Sequence, residues 1–168
     1  MKKAHRYIIF VFLALFFTGC VGGPNMGPVG SPEFPSLVAT ASLNTDGKIH
    51  FFGQAEWLPN VRGFTSIRDY SLARGASSVT VGVLVLTDKS ILFQQWNVNN
   101  EKFDIVKRLS YLEIKKISLD SLGRNRMLAV QKNDFSYDSF SFIKPKGFIA
   151  DPKKTEKAFH FLKGRLAQ

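Results

Sequence analysis

Val79-Thr-Val-Gly-Val-Leu-Val-Leu-Thr87, then Asp88-Lys89, then Ser90-Ile-Leu-Phe-Gln-Gln-Trp96, is the stretch on which the fold is read. Val79, Val81, Val83 and Val85 alternate with Thr80, Gly82, Leu84 and Leu86, the period of two that puts successive side chains on opposite faces of a strand. Thr87 to Ser90 supplies a short polar turn, so the two apolar runs predict a β-hairpin. Downstream, the turn Asn97–Glu101 precedes a strand over Phe103–Val106, and Leu112, Ile114 and Ile117 mark another that ends near Asp120. Ser121–Asn125, with Gly123, predicts a turn. Met127–Gln131 and Phe140–Ile143 predict two further strands on either side of Lys132-Asn133-Asp134, the second beginning as early as Phe135 or Tyr137.

The period then changes. Asp151 followed by Pro152 is a helix start, because the aspartate accepts from free amides and proline presets φ at the first helical position. A helix to about Leu166 places Ala158, Phe159, Leu162 and Leu166 on one face. Packing on the sheet suits that face, and contact with anionic lipid headgroups suits Lys153, Lys154, Lys157 and Lys163 elsewhere on the helix. The expected fold class is mainly β: an antiparallel sandwich or partly open barrel capped by one C-terminal amphipathic helix.

Upstream the pattern is weaker. Leu37–Leu43 and Lys48–Phe52 flank Asn44-Thr45-Asp46-Gly47, which predicts a second hairpin. Trp57-Leu58-Pro59 breaks the chain, and Phe64–Ala73 suits either a short helix or an irregular connection. Residues 21–36 hold four glycines and four prolines, a composition that predicts a tether holding the domain on the order of 20 Å from whatever precedes it.

The N-terminus explains why a tether is needed. Lys2, Lys3 and Arg6 precede an apolar run from Tyr7 to Phe17, too short to span a bilayer, and Thr18 and Gly19 then lead to Cys20, the chain's single cysteine. This order resembles the lipobox signal of bacterial lipoproteins, with Phe17 where leucine is usual. The resemblance implies cleavage between Gly19 and Cys20, lipidation of Cys20 and anchoring in a membrane. Val21 is not the aspartate that retains lipoproteins at the inner membrane in enteric-type sorting. The expected location is therefore the outer membrane facing the periplasm in a two-membrane host, and otherwise the outer face of the plasma membrane. The resulting domains are a signal at 1–19, a lipidated tether at 20–36 and one globular domain at 37–168.

Of the 23 Lys and Arg, the signal removes three, leaving 20 against 13 Asp and Glu, a net charge of +7. Scattered lysines keep an aromatic-rich domain soluble, and they also suit an anionic surface. Arg62-Gly63-Phe64 is an isolated fragment of an RNA-binding strand motif, so nucleic acid is not expected as a partner. His5, His50 and His160 do not form a metal-ligand spacing, Asp134 and Asp138 suit a turn, and no nucleophile elbow, phosphate loop or dinucleotide fingerprint occurs. No metal, cofactor or catalytic residue is expected, and the chain reads as a binding protein and not an enzyme. Trp57, Phe64 and Trp96 fit the strand cores poorly and are the candidate partner surface.

The hairpin Gly82–Asp88 and Ser90–Phe93, the Leu112-Glu-Ile114-Lys-Lys-Ile117 segment and Phe140-Ser-Phe142 before a capped helix together resemble pleckstrin-homology-like domains of the GRAM type, over residues 78–166. The resemblance implies a non-catalytic scaffold that recognises lipids, peptides or protein surfaces. Phosphoinositide binders of this fold gather basic residues around the first hairpin loop, where this chain offers Lys89.

Overall fold

The computed structural model describes residues 26–43, 46–61, 79–122, 124–145 and 149–167. Seven strands form one antiparallel sheet in the order β4-β3-β2-β1-β7-β6-β5, flanked by two helices. In chain order these are α1 (Phe34–Leu43), β1 (Ile49–Pro59), β2 (Thr80–Thr87), β3 (Ser90–Asn97), β4 (Lys102–Ser110), β5 (Ile114–Leu122), β6 (Asn125–Lys132), β7 (Tyr137–Phe142) and α2 (Pro152–Leu166). The expected fold class holds: a mainly β, antiparallel architecture with one C-terminal amphipathic helix, six of its strands falling between Thr80 and Phe142.

β1 is the strand that both halves share. Its segment Ile49–Trp57 pairs with β2, and Ala55–Pro59 pairs with β7, so Ala55, Glu56 and Trp57 have a neighbour on each side. One side of the sheet encloses Leu84, Leu86, Ile91, Phe93, Leu109, Leu128, Val130, Phe140 and Phe142, with Ala158 and Leu162 of α2 against them. Each fully buried leucine contributes roughly 1.5–3 kcal/mol by leaving water. Asp151 caps α2 as its sequence predicts, its Oδ1 accepting from the Lys154 amide at 3.0 Å.

The opposite side of β1–β4 is covered as well, and here the structure departs from the sequence reading. Val83, Val85, Leu92 and Phe103 are buried under Val38, with Phe34, Leu37 and Ala41 beside them. The predicted hairpin strand Leu37–Leu43 is therefore helix α1. Phe34, Leu37, Val38 and Ala41 recur at helical spacing, and a ten-residue helix gains its stability from the sheet on which it lies. Gln94 fastens it, donating to Ser42 Oγ at 2.7 Å across the interface. The chain ahead of α1 is not a free spacer either: Met26 and Val29 are buried against Ile143, with Val81 and Phe34 beside them. Coverage on both faces explains why Gly82–Thr87 is a continuous buried run.

A bulge in β4 does what the alternation rule cannot anticipate. Gln94 pairs with Ile105 while Phe93 pairs with Lys107, leaving Val106 as the extra residue. Phe103 and Ile105 consequently join the α1 side, whereas Leu109, of the same sequence parity, joins the α2 side. Leu112 begins no strand. It lies in a 3-10 turn, Tyr111–Glu113, capped reciprocally by Ser110 and Glu113, and is 90% exposed. Phe135 likewise sits in the β6–β7 turn at φ 67°, not in a strand.

Gly82 marks where β2 and β3 approach most closely: a Cβ there would overlap the Gln94 carbonyl oxygen and lie 2.7 Å from the Phe93 ring. Gly82→Ala is expected to cost about 1–3 kcal/mol by overpacking, read as a lower urea midpoint at unchanged slope. An unaltered midpoint would show that the strands separate freely at this point.

Candidate functional site

Trp96 ends β3 on the α1 side. Its ring meets Phe103 edge-on at 5.2 Å, and Gly27, at φ 68°, crosses above the pair where a Cβ would lie 2.8 Å from Phe103 and 2.9 Å from Trp96. Glycine is required there both for the left-handed backbone and for the close approach. Phe34 stacks edge-on against Phe103 at 5.9 Å, which locks the start of α1 to the same aromatic cluster. A groove of about 380 Å³ opens beside Trp96, lined by Pro28, Glu33, Leu37, Val98 and Glu101. Its far wall is the β3–β4 turn, ordered by Asn97, whose Oδ1 accepts from the amides of Asn99 and Asn100 at 3.1 and 3.3 Å and whose Nδ2 donates to Asp104 at 2.7 Å. Glu101 closes the turn at φ 48°.

Trp57, expected beside Trp96 on an exposed surface, is on the other side of the sheet. Its ring packs on Phe93 at 5.5 Å, and its indole nitrogen donates to Asp138 Oδ1 at 2.9 Å. Asp138 is 1% exposed and faces two amines, Lys107 at 3.3 Å and Lys132 at 3.4 Å. A buried carboxylate needs such compensation. The β4 bulge supplies Lys107 to it, and the three polar partners hold β1, β4, β6 and β7 together inside the sheet. Trp57 is thus partly buried against the core of the α2 side, its one polar atom satisfied by a buried acceptor. Phe64 lies outside the described residues, as do Cys20 and Gly19.

The lysines of α2 divide. Lys153, Lys157 and Lys163 are exposed, whereas Lys154 folds inward with its amine 5.2 Å from the Phe142 ring centre. Burial lowers the Lys154 pKa, with Asp151 opposing the shift. Lys154 therefore does not belong to the solvent-facing basic surface.

Asp88, in the turn between β2 and β3, is a polar junction that spacing in the sequence did not reveal. Its Oδ1 is 2.6 Å from His50 Nε2 and 2.8 Å from an Arg165 nitrogen, while its Oδ2 accepts from the Lys48 amide at 3.0 Å. His50 also packs against Phe161, ring centres 5.0 Å apart and planes tilted by 33°. These contacts join β1, the first hairpin and the end of α2. Such a group is a structural latch, since all of its members satisfy one another. Asp134 is occupied too, accepting from the Ser136 amide at 2.9 Å. Among the described residues no group of three or more His, Cys, Asp or Glu side chains could hold a metal ion. No described helix is long and apolar enough to cross a membrane.

The sequence matches no family model and no curated protein. Among solved structures it is similar, at a TM-score of 0.44 and 11% identity, to a structure described as "Vav1 inhibited by an allosteric inhibitor: Vav1 inhibitors block GEF activity". The match covers 70% of this chain and 18% of that one. At that similarity the activity named there does not bear on this protein, and the fold rests on strand order and register.

The Asp88 carboxyl is held below its ordinary range, first by the His50 bond and then by the Lys48 amide. A depressed carboxylate stabilises the fold above the unfolded pKa of about 3.9 and loses that contribution as pH falls through the lower folded value. Urea midpoints from pH 6 to 2 are expected to fall more steeply below about pH 4 for the native chain than for Asp88→Asn. Parallel curves would remove the latch. Lys154 has the opposite sign: its lowered pKa penalises the charged form, so Lys154→Met is expected to raise the midpoint at pH 7 and to flatten the gain in stability the native chain shows as pH approaches the ordinary lysine value of about 10.4.

Proposed function

We propose that this protein is an exported lipoprotein, cleaved behind Gly19 and lipidated at Cys20, whose PH/GRAM-like domain is a non-catalytic binding module for a protein or envelope partner. The observation that carries the binding role is the Trp96 groove. A partly exposed large aromatic ring stands beside exposed Val98, in a concavity assembled from two distant chain segments. The lipobox resemblance supports the anchor, and Val21 supports the outer membrane, facing the periplasm, in a two-membrane host.

Packing of Met26 and Val29 shortens the leash. Five residues, Val21–Asn25, separate Cys20 from the packed body, and at about 3.3–3.6 Å each they reach less than about 20 Å. Pro28 lines the groove directly after them. A lipidated chain would therefore hold its groove close to the bilayer, where the partner would also be found. Two acyl chains or more make such anchoring stable.

A second reading, direct contact with anionic lipid headgroups, is favoured by a different corner. Leu112 and Phe135 are exposed, Asn133 donates its side chain to the Leu112 carbonyl at 2.9 Å, the Lys115 amine lies 3.7 Å from the Phe135 ring centre, and Lys115 and Lys116 are exposed. Lys153, Lys157 and Lys163 add charge on α2.

Labelled palmitate is expected to enter the native protein and not Cys20→Ser; equal labelling would overturn the anchor. A photo-crosslinker replacing Val98 in native membranes is expected to give a discrete adduct that the same group at Lys163 does not. Absence of any adduct at position 98 would count against the groove. If unlipidated protein sediments with phosphatidylglycerol vesicles and not with phosphatidylcholine vesicles, the second reading gains over the first.

A further inference from the structure

We infer that the Trp96 groove receives a lysine or arginine side chain presented by a protein partner, an inference that rests on the groove being a binding surface. Its walls and its rim differ in chemistry. Pro28, Leu37, Trp96 and Val98 are apolar, while Glu33 and Glu101 place carboxylates around the same concavity. This occurs in a chain whose formal net charge is +10. Five acidic side chains elsewhere are matched by cations: Asp46 by Arg108 at 3.2 Å, Asp88 by Arg165 at 2.8 Å, Asp104 by Lys102 at 3.7 Å, Asp138 by Lys107 at 3.3 Å, and Glu156 by Arg126 at 3.0 Å; Glu113, Asp120, Asp134 and Asp151 accept instead from backbone amides or a hydroxyl. Among the described residues, neither Glu33 nor Glu101 has a Lys or Arg nitrogen within 4.0 Å.

The carboxyl of Glu33 and the backbone of Glu101 are also held in place. Glu33 immediately precedes α1, and its own backbone amide and Ser31 keep its carboxyl below the ordinary range, so it stays ionised. Glu101 is set by the Asn97-ordered turn. A guanidinium or ammonium group entering here meets two unmatched carboxylates and an indole face, a combination that attracts cations through both charge and the ring quadrupole. The aliphatic stem of the same side chain would lie on Leu37, Pro28 and Val98, as long basic side chains do on apolar surface. A phosphate or an acidic segment would be repelled by the same rim. The groove thus selects a partner of the sign that the rest of the molecule would turn away.

The test compares N-acetylarginine amide with N-acetylcitrulline amide, a neutral isostere, on the full lipidated chain in non-ionic detergent, following the two indole N–H resonances by NMR. The arginine probe is expected to move the Trp96 resonance saturably and at least fivefold more tightly than the citrulline probe, with the Trp57 resonance, bonded to Asp138, unmoved. Glu33→Gln/Glu101→Gln is expected to abolish the preference while leaving the Trp57 resonance in place, which shows that the fold is intact. Equal affinity for the two probes, or a preference that survives the double variant, overturns the inference. A crosslinked adduct at position 98 together with equal probe affinities would leave the groove a binding surface and remove its charge selectivity; no adduct and no probe response removes both.

Discussion

The double pairing of β1 is the constraint from which the rest of the molecule follows. Ala55, Glu56 and Trp57 exchange ladder bonds with β2 on one side and β7 on the other, so the two halves of the sheet meet along three residues. Nothing polar in that backbone can be left without a partner once both faces are covered. The face toward α2 fills with phenylalanine and leucine, and Asp138 pairs with Lys107, which the β4 bulge turns inward, and with Lys132 of β6. Six phenylalanines, Phe51, Phe93, Phe140, Phe142, Phe159 and Phe161, meet that demand for buried area per residue on this face.

The other face decides how the protein presents itself. Most small antiparallel sheets leave one side to water; here α1 and the turn before it cover β1–β4 with Met26, Val29, Phe34 and Val38. Toward the end of β3 the cover narrows to the chain at Gly27, which crosses Trp96 and Phe103. Trp96 remains at that margin, supported from below by Phe103 and bordered by the β3–β4 turn, and the result is a concavity whose two walls come from residues roughly sixty positions apart in the chain. The same packing begins at Met26, so the groove is built in part from the N-terminal end of the described residues.

How far the sequence could be read depended on whether the deciding contact was local. The hairpin Thr80–Asn97 and the capped helix after Asp151 were legible, since alternation, turn residues and an Asp-Pro start act within a few residues of one another. Leu37–Leu43 was not: short apolar runs suit strand and helix alike, and the sheet beneath it chose the helix. The inward turn of Lys107 was hidden for a related reason, because Phe103, Ile105, Lys107 and Leu109 share one parity and a single extra residue at Val106 divides them between two faces. Trp57 and Trp96 looked equivalent in the sequence. A buried acceptor for one indole and its absence beside the other ring separated them.

The sequence by itself determined the strand periodicity, the C-terminal helix with its cap, and a positively charged composition, all of which are properties of neighbouring residues or simple sums over the chain. It also carried the lipobox resemblance as a contiguous pattern. Tertiary structure alone decided that residues 26–43 are a cover and not a spacer with a strand, that Asp88 gathers His50 and Arg165, and that Glu33 and Glu101 face one groove with Trp96. Each of these joins residues far apart along the chain. Such juxtapositions are set by which buried surface a segment finds, and that information exists only once the sheet has closed.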